Sequence, residues 1–188
     1  MTERTGLDRA ESVQAGASQG FANVAIVVTF DHLSDARVRA LWADLADPGL
    51  LTPHIGRPHM TFAQVAPEDV EAAGAALADI AHGVHGLRVA IDSLGVFPGE
   101  QPVLFLNPVP SGRLLALHRR IHLALQNGGI EHDGPFQRYV PGEWVPHVTL
   151  GRLKDETRLG DALAIANGFH LRFELTVVAL GSFHSPLR

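Results

Sequence analysis

Residues 58–62 read Pro-His-Met-Thr-Phe and residues 146–150 read Pro-His-Val-Thr-Leu. Side chains alternate between the two faces of an extended chain, so His59 and Thr61 share one surface while Met60 and Phe62 turn to the other. His147 and Thr149, with Val148 and Leu150 opposite them, repeat the arrangement. Each segment offers an imidazole and a hydroxyl to one side and two apolar anchors to a core. The prolines bias Arg57 and Val145 toward extended backbone, which favours the start of a strand. In a chain with 11 histidines a lone His-x-Thr is weak evidence. Two of them, each behind a proline and in matching places of a repeat, form a signal.

The repeat emerges on reading outward. NVAIVVTF from Asn23 is short and β-branched, a buried strand. A helix follows, capped by Ser34, with Asp35 in its first turn, Val38, Leu41, Trp42 and Leu45 on one face, and Pro48-Gly49 as its stop. After the first motif a helix opens near Pro67 with Val70, Ala73, Leu77 and Ile80 inward, and LRVAIDSLGVF (Leu87 to Phe97) alternates as a strand. The order then recurs. VLFLNPV is a strand, Ser111 caps a helix carrying Leu114, Leu117, Ile121 and Leu125, the second motif is extended, and Asp155 opens a helix with Leu159, Leu163 and Ala166 inward. LRFELTVVALGSF closes the second unit and echoes the close of the first down to its Leu-Gly-x-Phe ending. The expected fold is α+β: two strand-helix-strand-helix-strand units around a pseudo-twofold axis, as two antiparallel sheets flanking a central cleft. The second unit carries an extra loop, residues 126–143. Residues 1–20 are polar and rich in small side chains, so they are expected to be a flexible tail, and 21–188 a single bilobal domain.

Composition narrows the function classes. The 188 residues are 46% hydrophobic and 19% charged, the balance of a folded globular chain. A net charge of -5 lacks the basic excess of a protein that tracks a long phosphate backbone. The expected partner is a small nucleotide or an RNA terminus, not duplex nucleic acid. With no cysteine, disulfides, thiolate zinc sites and cysteine nucleophiles are excluded. No apolar run approaches a membrane span or a signal peptide, so the expectation is a cytoplasmic, monomeric protein that engages no membrane.

The duplicated PHMTF and PHVTLGR segments in this repeated array resemble the 2H phosphoesterase superfamily, specifically its 2′-5′ RNA ligase-like branch, over about Asn23 to Phe183. The resemblance implies two antiparallel sheets around a cleft, catalytic His59 and His147, and phosphate-binding Thr61 and Thr149. It implies no metal and no cofactor. It also implies hydrolysis of a 2′,3′-cyclic phosphate, with His147 as base and His59 as acid. The same two-histidine site would serve a 2′-5′ linkage or an ADP-ribose cyclic phosphate, and a non-catalytic module that binds nucleotide or RNA ends is a reading of another class. The chemistry suits the residues, because displacement at phosphorus needs a base for the incoming oxygen and an acid for the leaving one.

Arg152 matches a phosphate-binding position of the family, yet strand parity puts it opposite His147 unless the strand bulges near Gly151. Its repeat counterpart is Gln64. Phe136, Tyr139 and Trp144, in or beside the extra loop, either stack on a base or pack the loop against the sheet, with Trp144 nearest His147. His118 and His122 have the four-residue spacing of metal ligands on a helix but no third ligand, and are expected on a helix surface with Arg113, Arg119 and Arg120.

Overall fold

The computed structural model describes residues 23–53, 56–132, 138–169 and 171–184. Among the described residues seven strands and four α-helices run β1 (Val24–Phe30), α1 (His32–Ala46), β2 (Leu51–Pro53), β3 (His59–Val65), α2 (Val70–Gly83), β4 (Arg88–Phe97), β5 (Val103–Pro108), α3 (Gly112–Asn127), β6 (Val148–Leu153), α4 (Leu159–Asn167) and β7 (Phe173–His184). Apart from β2, a three-residue strand that has no periodicity to betray it, this is strand-helix-strand-helix-strand twice over. The proposed tail and Phe136 lie outside the described residues. Among the described residues no helix is long and apolar enough to cross a membrane.

The strands form one seven-stranded sheet ordered β2-β6-β5-β4-β7-β1-β3, and among the described residues every pairing is antiparallel. That order has a meaning for the repeat. β1 and β3 of the first unit are completed by β7, the last strand of the second; β5 and β6 of the second are completed by β4, the last strand of the first. The units have exchanged their closing strands, and β4 and β7 meet where the exchange crosses. Their register is self-complementary: Val89 pairs with Leu175, Ile91 with Phe173, and Ala90 with Glu174. Aligning LRVAI with LRFEL makes Ala90 and Glu174 equivalent, so the pseudo-twofold axis passes through that pair. Cross-strand ion pairs Arg88–Glu174 and Arg172–Asp92 flank it.

The core lies between the sheet and the helices. Val24, Ile26, Val28 and Phe30 of β1, Met60 and Phe62 of β3, and Leu104 and Leu106 of β5 meet Val38, Leu41 and Leu45 of α1 and Leu114, Ile121 and Leu125 of α3, all buried. Side chains of this kind are worth roughly 1.5–3 kcal/mol each when withdrawn from water. Three local expectations change. Asp31 caps α1, accepting from the Ser34 amide at 2.8 Å, and Ser34 is buried in the first turn, where its hydroxyl accepts from the Thr176 amide at 3.0 Å. In α4 it is Ala162 and Ala166 that are buried while Leu163 stays exposed, because the helix begins only at Leu159, after a 3-10 turn opened by Asp155. His118 and His122 are not on the surface: they are 3% and 4% exposed, covered by the loop that brings Tyr139 and Trp144 over α3. Arg113, Arg119 and Arg120 are exposed as expected.

Candidate active site

Strand parity explains which side chains face the cleft. Val27 of β1 pairs with Thr61, Thr29 with His59, and Gly181 of β7 with Val27. In the second half Phe105 pairs with Thr149 and with Gly95 of β4. His59, Thr61, Val27 and Gly181 therefore answer His147, Thr149, Phe105 and Gly95 across the pseudo-axis.

Each motif strand then breaks register once. On β3 the pairing jumps from Val27–Thr61 to Ile26–Ala63, leaving Phe62 as an extra residue; on β6 it jumps from Phe105–Thr149 to Leu104–Gly151, leaving Leu150. A bulge reverses the parity of whatever follows it. Arg152 pairs with Val103 and Gln64 with Ala25, so both return to the face of Thr149 and Thr61. The condition that sequence parity set for Arg152 is met, by the same device in both units. Gly151 is needed just past the bulge, since a Cβ there would lie 2.6 Å from the Thr52 carbonyl oxygen of β2.

The two imidazoles are held alike. Nδ1–H of His59 donates to the Arg57 carbonyl at 2.8 Å, and Nδ1–H of His147 to the Val145 carbonyl at 2.8 Å. Because a carbonyl only accepts, the neutral form of each ring carries its proton on Nδ1 and its lone pair on Nε2. Arg57, whose carbonyl orients His59, is itself tied by its guanidinium to Asp35 at 3.6 Å. Burial pushes both histidines below the ordinary value of 6.5, the carbonyl bonds opposing this in part. His147 is pushed down further by the charge of a protonated His59, so the two rings feel one another.

Aromatic walls flank both rings, and the sequence reading missed them. Phe183 stacks on His59 with centroids 5.1 Å apart, and Phe97 meets His147 edge-on at 5.0 Å. These are the final residues of the two Leu-Gly-x-Phe endings. Strand exchange carries each to the histidine of the other unit, and the repeated Leu-Gly-x-Phe was the signal that could have found them. Phe105 adds a second ring beside His147 at 5.6 Å, and Tyr139 a third at 6.4 Å.

Trp144 is engaged inside the protein. Its ring lies parallel to His118 at 4.0 Å and against Phe62 at 5.0 Å, and its indole N–H donates to the Thr61 carbonyl at 3.0 Å. The turn that places it depends on Gly142, at φ +102°. Of the two roles open to Trp144 from the sequence, this geometry favours packing; Tyr139 keeps its ring toward His147.

The sequence matches the family model described as the 2′-5′ RNA ligase superfamily over residues 29–185. The chain belongs to that superfamily. Its members act on phosphodiester bonds, which suits a site of two imidazoles and two hydroxyls. No curated protein sequence matches significantly. Among solved structures the fold is similar to the crystal structure of the MHV ns2 PDE domain, with a TM-score of 0.53 and 16% identity over 85% of this chain and 99% of that one. At that identity the likeness within the superfamily is one of fold.

Proposed function

We propose that the protein hydrolyses 2′,3′-cyclic phosphate ends of RNA or nucleotides by two-histidine acid–base catalysis. The observation that carries this reading is the matched pair of imidazoles, each with Nδ1 tied to the carbonyl two residues back, each beside a threonine on the cleft face. His147 acts as base. Burial opposes the charging of both rings and their mutual repulsion disfavours the doubly protonated site, so one imidazole is neutral when the other holds a proton, and the role of proton donor then goes to His59. Nε2 of His147 takes a proton from water as the water oxygen bonds to phosphorus; the bond from phosphorus to the 3′ oxygen breaks, and His59 gives that oxygen its proton. The product is a 2′-phosphate, and exchange with solvent resets both rings. Thr61 and Thr149 donate to the non-bridging oxygens as charge builds, and Arg152 adds a cation on the His147 side. Tyr139 is the candidate base-stacking ring. The reverse reaction would join ends, and a 2′-5′ linkage is the second reading, favoured by the family model itself.

The test offers the purified protein, with excess chelator, a panel of 2′,3′-cyclic nucleotides, short RNAs ending in a cyclic phosphate, 2′-5′ dinucleotides and an ADP-ribose cyclic phosphate. Turnover of the cyclic ends that survives chelation and disappears in both His59→Ala and His147→Ala is expected. Turnover confined to 2′-5′ linkages or to the ADP-ribose substrate moves the assignment there. Binding without turnover makes the protein a non-catalytic module, and metal-dependent turnover indifferent to both substitutions refutes the mechanism.

A further inference from the structure

The bulges that turn Gln64 and Arg152 toward the cleft also interrupt the ladder at the two threonines, and the outer edges there offer little replacement. β3 is the last strand of the sheet, and the pairing of β2 with β6 stops at Gly151. The carbonyls at these positions need other donors, since an unsatisfied buried carbonyl is costly. Both find one in a ring N–H, and in both cases the ring comes from the other unit. Trp42 on α1 of the first unit donates to the Thr149 carbonyl at 3.1 Å. Trp144 of the second unit donates to the Thr61 carbonyl at 3.0 Å, and His122 on α3 donates from Nε2 to the next carbonyl, Phe62, at 3.0 Å. Counted from the N-caps Asp31 and Ser111, Trp42 and His122 occupy the same helix position, so the repeat has kept the device while changing the ring.

We propose that Trp42 and Trp144 are positioning residues that set the threonine hydroxyls of the opposite unit, so that each half of the acid–base site is completed by the other repeat. The proposal rests on the reading of Thr61 and Thr149 as phosphate-binding hydroxyls. A hydroxyl that stabilises a transition state must be placed to within a fraction of an ångström. The carbonyl of the same residue is the nearest rigid point from which to place it. Crossing the two bonds locks the half-sites to one another, which a reaction needing both imidazoles at one phosphorus requires.

The test is a crossed double-mutant cycle with Trp42→Phe, Trp144→Phe, Thr61→Ala and Thr149→Ala, assayed on a 2′,3′-cyclic nucleotide. Phenylalanine keeps an aromatic ring and removes the N–H. Each tryptophan variant is expected to lower kcat roughly tenfold, the scale of one lost hydrogen bond, with KM little changed. The Trp144→Phe loss should vanish in the Thr61→Ala background and persist in Thr149→Ala; the Trp42→Phe loss should show the opposite pattern. Losses that multiply in every background overturn the brace, as does a Trp144→Phe enzyme of full activity, the result expected of a base-stacking indole. If Thr61→Ala and Thr149→Ala leave kcat intact while both histidine variants are dead, the threonine reading fails and takes the brace with it, and the single mutants alone reveal this. If Trp42→Phe lowers the melting temperature too far to assay, the Trp144 arm decides, since that ring is only half-buried.

Discussion

The His59 half and the His147 half share one plan and differ in what fills it. Both hold a histidine by its Nδ1–H, both bulge one residue past the threonine, and both receive a phenylalanine from the other unit's closing strand. Yet Val27 and an open Gly181 beside His59 answer to Phe105 lying over Gly95 beside His147. Gln64 answers to Arg152, and only the second half has the extra loop with Tyr139 and Trp144. Symmetry supplies two matched imidazoles; the asymmetric filling makes one differ from the other, as the proposed acid and base require.

The largest expected effect breaks the comparison at its centre. His59→Ala and His147→Ala should each lower kcat by about 10²–10⁴ on a cyclic phosphate. A diester with a nitrophenolate leaving group separates the roles, because it departs without a proton. His59→Ala should regain most of its rate there and His147→Ala should not; the opposite pattern would exchange acid and base. The pH profile follows from the same asymmetry. On the proposed roles, the acid limb of kcat/KM should report protonation of His147 and the alkaline limb loss of the His59 proton. Both groups lie below the ordinary 6.5, so the optimum for kcat/KM should fall on the acid side of it. An optimum well above neutrality would show that burial does not govern these rings.

Arg152 and Gln64 come next. Hydrogen bonds to a charged group contribute about 1.5–3 kcal/mol, so Arg152→Gln should cost roughly ten- to a hundredfold in kcat/KM. Gln64→Ala should cost a few-fold at most. Equal losses at the two positions would mean that the phosphate does not lean toward the second half. The glycines are a test of packing alone. A Cβ on Gly95 would fall 2.2 Å from the Phe105 ring, whereas one on Gly181 meets nothing within 4 Å. Gly95→Ala should destabilise by about 1–3 kcal/mol and Gly181→Ala by under about 0.5, read as the shift in urea midpoint. A stable Gly95→Ala would mean that the Phe105 ring can swing aside.

The parts legible in the sequence are those that periodicity and pairing within one unit express. The alternating strands, the helix stripes of α1 to α3 and the face shared by His59 and Thr61 follow from residue spacing alone. What escaped depends on contacts between units. The exchange of β4 and β7 leaves no mark on either strand, so Phe97 and Phe183 read as strand ends. The bulges at Phe62 and Leu150 have no glycine in the extra position to announce them; only the parity conflict at Arg152 hinted at one. Trp42 read as a core residue, which it is, and its N–H bond to Thr149 became visible only in three dimensions. His118 and His122 read as polar, and the loop that buries them comes from a stretch with no regular pattern.

That pair of histidines gives the smallest expected effect and places it in one half. His118 and His122 stand on α3 where α1 has Val38 and Trp42, so acid sensitivity from a helix histidine belongs to the second unit. His118 is 3% exposed, donates from Nε2 to the Tyr139 carbonyl at 2.7 Å and is parallel to Trp144. Burial lowers it from 6.5 to about 4. Above about pH 6.5 the ring is neutral folded or unfolded, and its contribution is complete. As pH falls toward about 4 the unfolded chain takes up a proton that the folded one refuses, so stability declines through that window and levels off below it. A shift of this size corresponds to at most about 3 kcal/mol; because relaxation around a charged ring relieves part of the desolvation, about 1 kcal/mol is the expected loss. His118→Gln keeps an N–H for Tyr139 and cannot titrate. The drop in unfolding free energy between about pH 7 and about pH 5 should therefore shrink by about 1 kcal/mol in that variant. An unchanged drop would mean that His118 titrates alike in the folded and the unfolded chain.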